Sequence, residues 1–393
     1  MLEWRLNVLV PRLRTMTHAE CLDALPTPRL VLDEARMLCN VARLRTRMTP
    51  HGVTLRPHLK TAKSVEVARR VLEGGTGPAT VSTLKEAEVF ARAGVRDILY
   101  AVGIAPQKLA RVLALRATGC DLSVILDSPE QAAAVAEASR IAGNAIPALI
   151  EIDCDGHRGG VSPEDPALVE IGRMLGASLR GVLTHAGESY NVVGEAAHAA
   201  FAARECAAAV AAAGALRTAG LPCPVVSVGS TPTAHAARDL TGVTEMRAGV
   251  YVFFDLVMAG IGVCTTGDIA LSVLTTVIGH QRERGWILVD AGWMALSRDR
   301  GTAQQAVDQG YGLACDIEGR VIPGLILSAA NQEHGILALR PGSGETLPEI
   351  PVGTRLRILP NHACATAAQF DAYTVLPTDP DAALAEWPRF GGW

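Results

Sequence analysis

Over its first 260 residues the chain alternates short apolar runs with stretches whose apolar side chains recur every three to four positions. The short runs are predicted strands: Thr54–His58, Ala79–Thr83, Asp97–Val102, Asp121–Asp127, Pro147–Asp153, Leu179–Thr184, Pro224–Val228 and Val243–Arg247. Predicted helices lie between them, at Ser64–Glu73, Leu84–Ala93, Gln107–Thr118, Pro129–Ala142 and Ala167–Leu175. Glu34–Thr49 precedes the first strand as a helix with Met37, Leu38, Val41 and Leu44 on one face. The link between the last two strands is the shortest, with His235–Leu240 as its only helical stretch. Ser64 and Ser128 read as N-caps, and Gly94, Gly119 and Gly143 as C-caps. Eight strands alternating with crossovers are what a closed (β/α)8 TIM barrel requires. An open doubly wound sheet has the same grammar, but no G-x-G-x-x-G follows any strand, which counts against dinucleotide binding.

After Gly260 the pattern changes. Asp268–Gln281, Trp286–Asp290, Gly310–Asp316, Ile322–Leu327, His334–Leu339 and Arg355–Leu359 alternate or run apolar, with Gly, Pro and Asn between them and no long helix. This predicts a mostly β C-terminal domain. Thr27–Asp33 is a ninth strand that a barrel of eight does not need, and it is expected to join the second domain. The division is therefore 34–260 for the barrel, and 1–33 with 261–393 for the β domain.

Composition narrows the function. Lys and Arg number 36 against 40 Asp and Glu, a net charge of −4, so there is no electrostatic footprint for nucleic acid. Hydrophobic residues make up 49% and charged residues 19%, which excludes a disordered chain and predicts a large core. The nine cysteines include no C-x-x-C pair, which argues for free thiols and a cytoplasmic location. The first ten residues carry Glu3 and Arg5 and do not read as a signal peptide. The Ala-rich stretch from Gly194 to Gly220 is interrupted by Glu195, His198, Arg204, Glu205 and Arg217; it reads as a soluble helix, with no membrane partner.

In a βα barrel the chemistry gathers at the C-terminal ends of the strands. Lys60 stands just past the first strand, where a desolvated lysine is a nucleophile toward an aldehyde and an ordinary surface lysine is the plain alternative. Gly229-Ser230-Thr231 and Arg247-Ala248-Gly249-Val250 follow strands seven and eight, where barrels often hold phosphate; Pro232 also permits an ordinary turn. A mouth lysine with a phosphate site suggests pyridoxal phosphate. In Asn361-His362-Ala363-Cys364, His and Cys two apart point the same way from an extended segment and offer zinc a soft donor pair, although H-x-C alone is weak evidence. Cys154 reads as core, and Ser297–Gly301 as a turn in which Arg298 or Arg300 is also a candidate for a substrate carboxylate. Glu333 and His334 are candidates to support the metal segment.

Taken in order, the motifs carry a resemblance. They are Arg56-Pro57-His58-Leu59-Lys60-Thr61, Val81-Ser82-Thr83-Leu84-Lys85-Glu86-Ala87, Glu151-Ile152-Asp153, Gly156-His157-Arg158, Leu183-Thr184-His185, Val228-Gly229-Ser230-Thr231-Pro232-Thr233, Arg247-Ala248-Gly249-Val250-Tyr251, Asp290-Ala291-Gly292, Gln332-Glu333-His334-Gly335 and Asn361-His362-Ala363-Cys364-Ala365-Thr366. The set resembles the fold-type III pyridoxal phosphate enzymes of the D-threonine aldolase and D-serine dehydratase group, which share the alanine racemase-like barrel plus β domain. The resemblance implies that Lys60 carries the cofactor and that His185 lies beside its ring, with Tyr190 contacting cofactor or substrate. Arg158 would meet the phenolic oxygen and Arg247 the ring nitrogen. Ser230, Thr231, Gly249 and Val250 would bind phosphate, with Gly229 allowing the approach. His362 and Cys364 would ligate a divalent metal, zinc first, with manganese or cobalt as alternatives. A homodimer is implied.

Within this group, members resembling aldolases tend to carry His-x-Asp where dehydratases carry His-x-Cys. Cys364 therefore implies a dehydratase, with Lys60, His362 and Cys364 as catalytic residues. The implied substrate is a β-hydroxy-D-amino acid: threo-3-hydroxyaspartate would give oxaloacetate and ammonia, serine pyruvate. Retro-aldol cleavage to glycine and an aldehyde stays open at this stage. So do racemisation with Tyr311 as second base and a cofactor-carrier role without turnover, although a metal pair has no part in the former and the extra β domain argues against the latter.

Overall fold

The computed structural model describes residues 17–393 apart from His157; residues 1–16, the start of the expected β domain, lie outside the described residues together with His157. A first strand, β1 (Arg29–Asp33), leads into the helix Glu34–Met48, which Asp33 caps by accepting from Arg36 N–H. Barrel strands follow: β2 (Thr54–Pro57), β3 (Ala79–Val81), β4 (Asp97–Gly103), β5 (Asp121–Leu126), β6 (Ala148–Ile152), β7 (Leu179–Thr184), β8 (Val225–Val228) and β9 (Glu245–Ala248). They pair in parallel in the order β2-β9-β8-β7-β6-β5-β4-β3. A parallel bridge between His58 and Thr80, with Leu59 N–H donating to Thr80 O at 2.8 Å, joins β2 to β3 and brings the barrel to near closure. Leu99, Ile125, Leu149 and Leu183 form a small apolar cluster of their own inside it. At the N-terminal mouth Arg56 is paired with Asp97 (2.7 Å) and Glu245 (2.8 Å), so the buried cation there is compensated.

The second sheet comprises β1 with β10 (Leu271–Gln281), β11 (Trp286–Val289), β12 (Gly312–Cys315), β13 (Val321–Ala330), β14 (Gly335–Leu339), β15 (Arg355–Pro360), β16 (Ala372–Leu376) and β17 (Ala385–Pro388). β1 lies between β10, to which it is antiparallel, and β16, to which it is parallel. The two C-terminal strands β16 and β17 are not among those predicted; both are short and lie in a Pro-rich stretch.

Three local readings change. The helix between β8 and β9 is Thr231–Ala236 and not His235–Leu240. Ser230 Oγ accepts from Thr233 N–H (3.2 Å) while Thr233 Oγ1 accepts from Ser230 N–H (2.9 Å), and Pro232 sits in the first turn, so the reciprocal cap starts the helix four residues early. Ser128 caps its helix, but Ser64 makes no capping bond before Val65–Val71. The Asn361–Cys364 segment is extended only as far as His362, and Cys364 lies in the first turn of a helix, Ala363–Ala367. Among the described residues one helix, Glu195–Thr218, is long and apolar enough to cross a membrane. It is the crossover between β7 and β8, and it turns His198, Glu205 and a row of alanines into the protein.

Candidate active site

A cavity of about 410 Å³ opens at the C-terminal mouth of the barrel. Lys60, Arg158, His185, Tyr190, Gly229, Ser230, Thr231, Arg247, Gly249, Val250, His362 and Cys364 all line it. The barrel thus supplies ten of these predicted residues and the second sheet's C-terminal segment two. Lys60 stands three residues past the end of β2 with its side chain exposed to the cavity.

One end of the cavity is suited to an anion. The first turn of Thr231–Ala236 and the turn Val250–Val252 both begin there; in the former Pro232 has no N–H and those of Ser230 and Thr233 serve the cap, which leaves Thr231 N–H. Two glycines keep the cradle open. Gly229 has φ +135°, and a Cβ there would lie 2.0 Å from Arg247 O; at Gly249 a Cβ would sit 3.2 Å from the Cβ of His58. Thr231 Oγ1 is buried without a hydrogen-bond partner of normal geometry. Ser230 differs from expectation: its hydroxyl is engaged by Ser189 (2.8 Å) and by the helix cap, and its N–H goes to Thr233.

The middle of the cavity is held rigidly. Arg247, buried, donates to Ser227 Oγ (2.5 Å) and Thr184 O (2.6 Å). His185 Nδ1 meets Gly229 O at 3.1 Å; since a carbonyl only accepts, Nδ1 carries the proton and Nε2 is left as an acceptor. Burial holds the His185 imidazole neutral, pulling its pKa down to about 3. His58 is likewise neutral, through burial and the nearby Lys60 and Arg247 charges. The Tyr190 ring lies 6.3 Å from that of His185, and burial raises its phenol above the usual range. Arg158 is anchored at 3.2 Å to Glu151 Oε1 with about half its side chain exposed.

His362 and Cys364 face the opposite side. His362 Nδ1 meets Asp299 Oδ2 at 2.6 Å, and the Cys364 sulfur stands 3.2 Å from Thr61 Oγ1. Despite burial, Asp299 and the Cys364 sulfur raise His362 to about 11, and the same imidazole lowers the Cys364 thiol. Imidazole nitrogen beside thiolate sulfur, with a carboxylate on the far ring nitrogen, is a donor set that suits a soft divalent ion such as zinc. Among the described residues no group of three or more such side chains gathers, so this pair fits an open site with places for water or substrate.

Other candidates fall elsewhere. Arg298 stacks on Trp293 (4.5 Å), and Arg300 pairs with Asp308 (2.6 Å), so neither lines the cavity. Glu333 and His334 are exposed in the β13–β14 hairpin, outside the cavity. Tyr311 packs under Arg300 outside it as well. Cys154 is half-buried, and burial pushes its thiol up to about 12. Two carboxylates at the site are not marked by the sequence pattern. Asp299, read as part of a turn, is the His362 partner. Asp255, buried in the cavity wall, accepts from Met258 N–H (3.0 Å) and from Ala363 N–H (2.9 Å), tying the barrel to the His362 segment. Asp255 had one sequence signal, its position as N-cap of Leu256–Gly260.

The alanine racemase N-terminal domain model matches residues 32–257, and a serine dehydratase domain model matches residues 270–376. The chain is 58% identical to D-threo-3-hydroxyaspartate dehydratase of Delftia sp. strain HT23 over 95% of its length and 100% of the relative's. The solved structure of that enzyme superposes with a TM-score of 0.91 at 58% identity, covering 95% of this chain and 99% of the other. A D-serine dehydratase of Schizosaccharomyces pombe is 31% identical over 99% of this chain and 97% of its own. A D-threonine aldolase structure from Filomicrobium marinum superposes with a TM-score of 0.75 at 26% identity, over 95% and 96% of the two chains. This chain belongs to the alanine racemase-like, fold-type III family of pyridoxal phosphate enzymes, in the group that includes D-serine dehydratases and D-threonine aldolases.

Proposed function

We propose that this chain is a pyridoxal phosphate- and divalent-metal-dependent dehydratase that eliminates water from a β-hydroxy-D-amino acid, converting D-threo-3-hydroxyaspartate to oxaloacetate and ammonia. The observation that carries this reading is that Lys60, a glycine-lined anion cradle and the His362–Cys364 pair face one cavity. The full-length relative named for that activity supports the substrate. A cysteine-to-alanine variant of that relative, solved in a metal-free form, supports a cysteine ligand.

Bound here, the cofactor supplies an electron sink for the α-carbanion and the metal a Lewis acid for the departing hydroxyl. The chain's own groups do the rest. Thr231, Gly249 and Val250 donate to the phosphate, with Gly229 and Ser230 shaping the loop. Arg247 serves the ring-nitrogen end and Arg158 the phenolic oxygen, while His185 and Tyr190 bound the ring. Lys60 would hold the cofactor through Nζ, and the same atom is the base that would take the substrate's α-proton. His362 and Cys364 hold the metal, zinc in preference to manganese or cobalt because of the sulfur. Loss of the α-proton and β-hydroxyl leaves an enamino acid, which hydrolyses to the keto acid and ammonia. Residues 34–260 form the cofactor domain, and 261–393 together with the strand Arg29–Asp33 form the β domain. The enzyme works as a cytoplasmic homodimer without nucleic-acid or membrane partners, in keeping with nine free cysteines and a net charge of −4.

Two variants test the assignment. Lys60→Ala should abolish the absorbance of the lysine-bound cofactor. Cys364→Ala should keep that absorbance but lose metal and turnover. Full activity of the Cys364 variant in the presence of a chelator would overturn the metal role.

A further inference from the structure

The long crossover helix Glu195–Thr218 carries a carboxylate, Glu205, on its buried face, between Ala202 and Ala209 and beside Cys206. Glu205 is 1% exposed, yet it has no ion-pair partner within salt-bridge distance among the described residues. Its Oε1 accepts two backbone donors, Gly229 N–H at 2.8 Å and Ala186 N–H at 3.1 Å. Its Oε2 is buried without a hydrogen bond, with the Thr233 side chain beside the carboxylate. A buried carboxylate carries a desolvation cost that its hydrogen bonds must offset, and an alanine at this position would carry none.

The two donors are not arbitrary. Ala186 follows His185 directly. Gly229 is the residue whose carbonyl receives His185 Nδ1–H, and it opens the loop that runs through Ser230 to Thr231. One oxygen therefore fixes both sides of the Gly229 peptide contact with His185, and it binds the loop after β7 to the loop after β8. We propose that Glu205 is a positioning residue for the cofactor site: from behind the barrel it sets the ring angle and Nδ1–H tautomer of His185 and the placement of the phosphate loop. It lies outside the cavity lining and touches no reacting atom. The proposal rests on the reading of this cavity as the pyridoxal phosphate site.

The test uses the full-length enzyme, stripped of cofactor and then titrated with pyridoxal phosphate. Glu205→Met fills the same space without a strong acceptor. Glu205→Gln retains an oxygen that can accept both N–H groups. Leu216→Ala, buried in the same helix but about three turns away, is the control for helix destabilisation. Glu205→Met should weaken pyridoxal phosphate binding at least tenfold, while Glu205→Gln and Leu216→Ala stay within threefold of the parent. ¹⁵N spectra of labelled histidine in the cofactor-free protein should show the Nδ1–H tautomer of His185 in the parent and in Glu205→Gln, and a mixture in Glu205→Met. If the Met variant does not fold, Glu205→Asp, with its oxygens withdrawn by one methylene, should show both changes in weaker form. Parent-like binding and an unchanged tautomer in Glu205→Met would overturn the proposal. So would an equal loss of binding in Leu216→Ala. If the parent itself takes up no pyridoxal phosphate, the reading of the cavity falls, and the histidine spectra still decide the role of Glu205.

Discussion

Gly229→Ala is a small change with a large expected effect. The added Cβ would lie 2.0 Å from Arg247 O and 2.7 Å from Arg247 N, both backbone atoms of β9. Tolerable contacts begin near 3.0 Å, so β8 and β9 would have to part by about 1 Å at the rim of the cradle. The backbone at φ +135° adds strain of about 1–3 kcal/mol for any side-chain-bearing residue. Overpacking against a backbone that cannot swing aside contributes about 1–3 kcal/mol more, for a total near 2–6 kcal/mol. Relief by movement would disturb the Gly229 contacts with His185 and Glu205. If only about 1.4 kcal/mol of this falls on the cradle, pyridoxal phosphate binding weakens tenfold. Gly214→Ala is the matched control: it lies inside Glu195–Thr218 with nothing within 4 Å of the added methyl, and it should stabilise by about 0.4–1 kcal/mol. Thermal melts and cofactor titration of the stripped enzyme read both variants. An unchanged melting temperature and Kd in Gly229→Ala, or an equal loss in Gly214→Ala, would refute the steric argument.

Asp299→Asn keeps an acceptor for His362 Nδ1 but removes the charge, and it should weaken metal binding by about 10–100-fold in competition with a chelator; parent-like affinity would show that the carboxylate merely closes a turn. A pH dependence follows from His235, which is buried with Nδ1 on Thr231 O (2.9 Å) and whose pKa burial lowers to about 4. The unfolded chain takes up a proton near pH 6.5 that the folded protein refuses, so this contribution is complete above about 6.5 and is lost as pH falls toward 4, at up to about 1.4 kcal/mol per pH unit. His235→Gln should therefore lose less stability than the parent between pH 6.5 and 5, by about 1–2 kcal/mol in denaturant melts; identical pH profiles would contradict it.

Much of the architecture is visible in the sequence because it is local. Each barrel strand is an apolar run between turn residues, and the predicted and observed boundaries differ by only one or two residues at most ends. The helix after β8 starts earlier than its apolar pattern predicts because Ser230, Pro232 and Thr233, which also read as a turn, form a capping box. What escaped depends on distance along the chain. Asp299 and His362 are 63 residues apart, and nothing in Ser297–Gly301 marks a metal-site partner. Glu205 leaves a sequence signal with two meanings: it is polarity against a membrane span, and a glutamate on the inward face of an alanine-rich helix also needs a partner. The extended backbone expected through Cys364 gives way to a helix at Ala363, which is too short to leave a periodic pattern.

In the proposed reaction, Lys60 with its cofactor and the His362–Cys364 pair with its metal act on one substrate to break its Cβ–O bond. The direct measurement is product analysis after incubating the pyridoxal phosphate- and zinc-loaded enzyme with D-threo-3-hydroxyaspartate, with and without a chelator. Equal amounts of ammonia and oxaloacetate, abolished by the chelator, are predicted. Glycine and glyoxylate would show that the Cα–Cβ bond breaks instead and would contradict the account.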